Sequence, residues 1–293
     1  MTGSDGACIS RCGTRLPADV LLAMERFEVQ GWEELYRAAT DEAREQYGVR
    51  LRNTPFATLL LAPGLDVLAF NRATGLGIST PVDRRALGWI DEVFVAARVP
   101  RYFVPVAPVA EPVALSAWLT AAGLRSYNRW AKLVRGVEDP PEAPTDLRIE
   151  QVDESSAPAF AEVLSQSFAW PAWVGTWIAN TIGRPGWLHY MAFDGMRPVA
   201  TAALFHEGPH AWLSWASTLP DYRRRGAHAA LLTRRIVDAR ECGCSLLTME
   251  TAEHTLTRPS VAHQNVIRAG FRVAYLRPNF LRELNPSSGS NRH

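Results

Sequence analysis

Two short segments of this chain repeat one another half a chain apart, and that echo restricts the possible architectures more than any other feature. Ala122-Gly123-Leu124-Arg125 ends an apolar helical stretch from about Val113 to Ala122 and leads into a strand-like run, Ser126 to Arg135. Ala269-Gly270-Phe271-Arg272 ends a second, from about Val261 to Ala269, and leads into Val273 to Leu281. In each, glycine suits the left-handed position after a helix, and the apolar residue that follows turns the chain into a strand. The two glycines stand 147 positions apart in a chain of 293 residues. Between them lies Gly136-Val137-Glu138-Asp139-Pro140-Pro141-Glu142-Ala143-Pro144-Thr145-Asp146, rich in proline and acid, which reads as a linker. The spacing predicts a duplication: a first copy over residues 1–136, a linker over 137–146 and a second copy over 147–293.

Periodicity fills in the elements. The first half reads as helices over Pro17–Gln30 and Trp32–Tyr47, strands near Phe56–Leu61 and Leu65–Asn71, a helix near Val82–Ala97 and a strand Tyr102–Val106. The second reads as strand Leu147–Val152, helices Ser156–Phe168 and Trp173–Ile182, and strands Leu188–Phe193, Pro198–Phe205 and Trp212–Thr218. Helix Gly226–Glu241, strand Ser245–Thr251, helix Val261–Ala269 and a final pair of strands complete it. Such mixing of helices and strands predicts an α/β or α+β class with a mixed sheet.

A 47% hydrophobic, 21% charged composition implies a substantial core, and a net charge of +1 argues against a strongly basic nucleic-acid binder. The longest apolar run, Ala57 to Phe70, is broken by Pro63-Gly64 and Asp66, too short to span a bilayer. Met1 to Gly6 carries no basic segment followed by an apolar one, so a soluble, cytoplasmic protein is expected. Cys8 and Cys12, with Cys242 and Cys244, lack the two-residue spacing of a zinc knuckle, so reduced thiols and no metal are expected. Lys132 is the single lysine, so any anion site must use arginine or backbone N–H groups.

The segment richest in chemistry is Leu213 to Leu232: a strand, a turn, the loop Arg223-Arg224-Arg225-Gly226 and a helix with apolar Leu231, Leu232, Ile236 and Val237. Glycine at a helix mouth lets successive N–H groups converge, the helix dipole adds positive character, and three arginines add more. That combination makes a pyrophosphate cradle, and it is not a P-loop because Gly-Lys-Ser/Thr is absent.

Pro220-Asp221-Tyr222-Arg223-Arg224-Arg225-Gly226 resembles the acetyl-CoA signature of the GNAT acyltransferase superfamily, and Val261 to Phe271 resembles its closing helix and Gly-Phe turn. The resemblance is specific over about Leu147–Leu284; over the first half it rests on element order and the repeated ending alone. It implies a GNAT-like, mostly antiparallel sheet flanked by helices, in tandem, with a degenerate first copy. Backbone groups of Ser217, Thr218 and Leu219 would pair with pantetheine, and Arg223, Arg224, Arg225, Gly226, Ala227, His228 and Ala229 would hold the pyrophosphate, with Asn265 a further cofactor contact. Three departures stand out. His228 replaces the usual final Gly or Ala of the loop, Gly75 to Pro81 in the first half lacks the arginine run, and Val266 stands where many members carry a tyrosine acid.

The implied reaction is transfer of an acetyl group from acetyl-CoA to the amine of a small-molecule or amino-acid-like acceptor by direct attack. It needs a base for the amine and an acid for the departing thiolate. Glu250 is the candidate base, Glu207 the runner-up, and His263 the candidate acid, with Tyr275 behind it. Trp170, Trp173 and Trp177, on one helical face, are candidates for an aromatic acceptor wall, with core packing as the competing role. A non-catalytic acyl-CoA-binding or regulatory protein is the alternative. No nucleic-acid or membrane partner is expected, and the assembly is expected to be a monomer or homodimer.

Overall fold

A computed structural model describes residues 16–284; Cys8 and Cys12 lie outside them. In chain order the first half runs α1 (Ala18–Arg37), α2 (Asp41–Gln46), β1 (Arg50–Asn53), β2 (Thr58–Leu61), β3 (Arg72–Thr74), α3 (Arg84–Ala96), β4 (Arg101–Pro105), α4 (Leu115–Ala121) and β5 (Arg125–Arg135). The second runs β6 (Arg148–Val152), α5 (Ala157–Phe168), α6 (Ala172–Ala179), β7 (Trp187–Asp194), β8 (Arg197–Glu207), β9 (His210–Thr218), α7 (Ala227–Glu241), β10 (Leu246–Ala252), α8 (Val261–Arg268) and β11 (Arg272–Glu283).

All the strands join one eleven-stranded sheet in the order β1-β2-β3-β4-β11-β5-β10-β9-β8-β7-β6. Only β3–β4 and β9–β10 pair in parallel; every other neighbouring pair is antiparallel. Read inward from its two edges, the sheet runs through antiparallel strands to one parallel pair on each side, reached after three strands at β3–β4 and after four at β9–β10. The last strand of each half lies inside the other half's sheet, β11 between β4 and β5, and β5 between β10 and β11.

Helices cover both faces. On one, Phe27, Trp32 and Leu35 of α1 pack with Phe160 and Leu164 of α5 and Trp177 of α6 against Phe205 and Trp212. On the other, Leu231, Leu232 and Ile236 of α7 and Val266 of α8 pack against Leu213, Leu247 and Leu133.

Three local expectations differ from the structure. The helix predicted over Pro17–Gln30 runs on through Gly31 to Arg37 as α1, and the rest of the predicted Trp32–Tyr47 helix is the separate α2, Asp41–Gln46, capped by Thr40. A Cβ on Gly31 would lie 2.5 Å from Cε3 of Trp212, so this glycine serves close packing and does not end the helix. The strand predicted at Leu65–Asn71 is a loop and a short 3-10 turn, and the strand begins at Arg72. Asn71 sets this: its Oδ1 accepts from Ala62 N at 2.8 Å and its Nδ2 donates to Leu65 O at 2.8 Å, a side-chain turn in place of a ladder. The predicted final strand pair is the single twelve-residue β11, which is paired on both sides by first-half strands and has no need to fold back on itself.

Candidate active site

β9 and β10 pair over only three positions, Leu246↔His210, Leu247↔Ala211 and Thr248↔Trp212. Past Thr248, β10 pairs only with β5, from Met249↔Leu133 to Ala252↔Trp130. β9 instead stays with β8, after a register shift between Thr201 and Ala203, and Trp215 takes a positive φ of 51° within it. The carbonyls displaced by this bulge find side chains. Arg235 Nη1 donates to Ala203 O at 3.2 Å and Ser214 O at 3.3 Å, and Thr201 Oγ1 donates to Trp215 O at 3.1 Å. The strands therefore part, leaving a cavity of about 340 Å³ that runs through the sheet. Toward α7 and α8 it is lined by Leu213, His228, Arg235, Met249 and Ser260; toward α1 and α5, by Trp32, Trp130, Phe168, Trp215 and Glu250.

The Arg-Gly loop sits at the α7 end. Arg224 and Gly226 both have positive φ, 68° and 83°, and a Cβ on Gly226 would lie 2.5 Å from Pro144 O. No side chain caps α7, so its first N–H groups stay open to an anion. The three arginines divide the work. Arg225 is tied to Asp194, with Nη1···Oδ2 at 2.9 Å, and also to Asp146, while Thr145 Oγ1 donates to Arg225 O at 2.7 Å. Arg225 thus anchors the loop to the segment before β6 and to the β7–β8 turn, and Arg223 and Arg224 remain exposed beside the helix mouth. His228 lies in the first turn with its Nδ1 buried and unpartnered. Burial, and then the charge of Arg235, pull its pKa down to about 4, so the imidazole is neutral at pH 7 and adds no charge. A glycine whose Cβ has no room, uncapped N–H groups and an orphaned imidazole fit the diphosphate end of CoA. Ser217, Thr218 and Leu219 bond to β8, with Leu219 N donating to Val199 O at 2.9 Å, and follow directly on Trp212 to Ala216, which line the cavity.

At the opposite end, Glu250 belongs to a buried cluster that joins the two halves. Glu25 and Glu28 of α1, Arg72 of β3, Lys132 of β5, Glu250 of β10 and Arg277 of β11 make three acids and three bases. Arg277 Nη2 donates to Glu250 Oε2 at 2.7 Å and Lys132 Nζ lies 3.6 Å away. Burial alone would raise the Glu28 carboxyl, but Arg277, Lys132 and Arg72 together hold it well below the usual range. Glu250 goes the other way. Its burial and the neighbouring Glu28 charge raise its pKa against the pull of Lys132 and Arg277. With 15% of its side chain exposed, against 0–3% for its partners in these pairs, it is the member of the cluster that meets the cavity. A partly open carboxylate with a raised pKa has the character of a proton acceptor for an amine.

The other predicted site residues are placed as follows. His263 Nδ1 is 3.1 Å from Thr251 Oγ1, a cavity residue, and burial and His254 lower its pKa. Tyr275 donates to Glu25 within the cluster, and burial and that carboxylate raise its pKa far above the ordinary range. Asn265 accepts from Arg268 at 3.2 Å, and Glu207 bonds Gln30 at the closed end of the β8–β9 hairpin. Trp177 is fully buried, Trp173 stacks on Tyr47 at 4.1 Å, and Trp170 stacks on Phe168 at 4.4 Å. None of these three tryptophans lines the cavity; its aromatic wall is Trp32, Trp130, Phe168, Trp212 and Trp215. Sequence reasoning missed Trp32, Trp130 and Arg235. Arg235 left a signal: it falls on the apolar stripe of α7, between Leu231, Leu232 and Ile236.

Residues 149–260 match the sequence model of the acetyltransferase (GNAT) family. No curated protein sequence matches the chain. Among solved structures, a GCN5-related N-acetyltransferase from Kribbella flavida is similar at 18% identity, covering 94% of this chain and 98% of that one, with a TM-score of 0.60. A GCN5-related N-acetyltransferase from Sphaerobacter thermophilus is similar at 16% identity over 93% and 95%, TM-score 0.58. A tandem GNAT protein from the clavulanic acid biosynthesis pathway is similar at 15% identity over 93% and 98%, TM-score 0.57. No helix among the described residues is long and apolar enough to cross a membrane. No group of three or more His, Cys, Asp or Glu among them is placed to hold a metal ion.

Proposed function

From the match of residues 149–260 to the acetyltransferase (GNAT) family, we propose that the chain is a GNAT acetyltransferase that transfers an acetyl group from acetyl-CoA to the amine of a small-molecule acceptor. One observation supports the reading: a cavity passes through the sheet where β9 and β10 part, lined on one side by His228 of the uncapped first turn of α7 and on the other by Glu250. We read the first half as a degenerate copy of the same architecture, joined to the second by exchanged final strands.

When bound, acetyl-CoA supplies an acyl carbon activated as a thioester. The N–H groups opening α7, from Ala227 to Ala229, hold the diphosphate, with Arg223 and Arg224 beside them. The outer edge of Ser217 to Leu219 aligns the pantetheine arm, and Arg235 fixes the bulge that shapes the cleft. Glu250 takes a proton from the acceptor ammonium, directly or through water, freeing the lone pair that attacks the acyl carbon. Holding the two reactants in line supplies much of the acceleration. His263, through the hydroxyl of Thr251, is the group best placed to return a proton to the departing sulfur.

The test is a calorimetric titration with acetyl-CoA followed by a thiol-release assay across an amine panel. Binding in the micromolar range with amine-dependent thiol release, lost in Glu250→Gln, is the expected result; absence of acetyl-CoA binding would refute the reading. A CoA-binding protein without turnover is favoured by one observation: Val266, where relatives carry an acid, is fully buried in the core. It predicts binding with no thiol release for any amine.

A further inference from the structure

We propose that the acceptor is a small arylalkylamine, a primary amine on a short arm from an aromatic ring, with no carboxylate of its own. The inference rests on the acyl-transfer reading and concerns the half of the cavity that faces α1 and α5. That half offers ring faces and one acid, with no exposed cation. Trp32, Trp130, Trp215 and Phe168 line it beside Glu250. Trp32 and Trp215 meet edge to face with centroids 5.5 Å apart, and both line the cavity. Phe168 is 41% exposed at the rim, a large apolar side chain left in water where a ligand would cover it.

The charges are equally selective. Three cations stand close by, Arg72, Lys132 and Arg277, and all three side chains have no exposure. Arg72 lies behind the wall, its Cζ 3.9 Å from the Trp32 ring, and none of the three cations lines the cavity, whereas Glu250 does. A free amino acid would bring its α-carboxylate against Glu250 with nothing to pair it, and an unpaired buried charge is severely disfavoured. An arylalkylamine brings an ammonium to Glu250 and a ring to the tryptophans, where cation–π attraction adds to burial. Two of the wall residues, Trp32 on α1 and Trp130 on β5, come from the first half. On this inference the degenerate copy selects the acceptor while the other copy holds the cofactor.

The experiment compares kcat/KM at fixed acetyl-CoA for 2-phenylethylamine and tryptamine, for phenylalanine and tryptophan, and for linear amines including a polyamine. We expect the arylalkylamines to exceed the amino acids and the linear amines by at least about tenfold, the scale of discrimination by one well-fitted group. Trp130→Leu should erase most of that preference through KM, and Trp130→Phe should retain it, with acetyl-CoA titration of each variant as the check on folding. Equal or better turnover of amino acids or linear amines overturns the inference, as does thiol release with no amine. Failure of the protein to bind acetyl-CoA is a separate result: it removes the acyl-transfer reading itself.

Discussion

Two helix mouths occupy corresponding places in the two halves, each following a strand of the parallel pair, and they have opposite fates. At α7 no side chain caps the first turn, and the left-handed Arg224 and Gly226 lay open a row of N–H groups. At α3 the first turn is capped by the chain itself. Asp83 caps the helix, its Oδ1 accepting from Ala86 N at 2.8 Å, so a carboxylate already sits on the positive end of the dipole. Gly77, the glycine nearest in role, spends its backbone on neighbours. Its N–H donates to Phe56 O at 3.1 Å, its carbonyl accepts from Glu111 N at 2.9 Å, and a Cβ there would collide with the Glu111 backbone. The difference teaches that an anion site is defined as much by what is left unsatisfied as by what is present. Glycines occur at both mouths; only one keeps its donors free.

The comparison can be broken in four places, from the largest expected effect to the smallest. Glu250→Gln should lower kcat by about 10²–10⁴ while leaving acetyl-CoA affinity intact, the range for loss of a general base. Its pH profile carries the sign: the working form is the carboxylate, so wild-type activity falls as pH drops through a pKa raised above the ordinary glutamate range. In Glu250→Gln that acid limb should vanish; an unchanged limb would place the base elsewhere. Gly226→Val forces a side chain onto Pro144 O at a left-handed position, and should weaken acetyl-CoA binding on the order of tenfold to a hundredfold by calorimetry. Arg225→Ala frees an exposed loop anchor, and a loss of about threefold in affinity is expected, since solvated ion pairs contribute little. Asp83→Ala should leave acetyl-CoA affinity unchanged and cost about 1 kcal/mol of stability in a denaturant titration, the usual loss for an N-cap. A measurable change in binding there would mean that the first mouth takes part in ligand binding.

Local signals in the sequence carried the second half well. The Arg-Gly loop, the strand before it, the helix after it and Glu250 on the next strand all follow from spacing and turn chemistry. What stayed hidden depends on contacts between distant residues. Gly31 looks like a helix break until Trp212 is placed against it. Glu25 and Glu28 read as polar positions on an amphipathic helix, and nothing local tells that Arg277, some 250 residues later, lies against both. Trp170, Trp173 and Trp177 have the spacing of one helical face, yet Trp170 stands before α6, and α1 and Phe70 cover Trp177, which donates its indole N–H to Leu35 O at 2.8 Å. The aromatic side of the cavity draws on Trp32 and Trp130, whose approach requires the strand exchange, a feature without a local signature.

That exchange also bears on how the protein is made. While the chain emerges from the ribosome, residues up to 135 can form helices and hairpins, yet β4 and β5 each face an empty lane that only residues 272–283 fill. The first half must wait, with sheet edges unpaired, through the synthesis of the whole second half, and the pairings that release it are among the longest in sequence separation that the molecule contains. Such closures are slow, and open edges in the interval invite pairing with other chains. Synthesis rate and temperature should therefore govern the soluble yield of this protein more strongly than its final stability does.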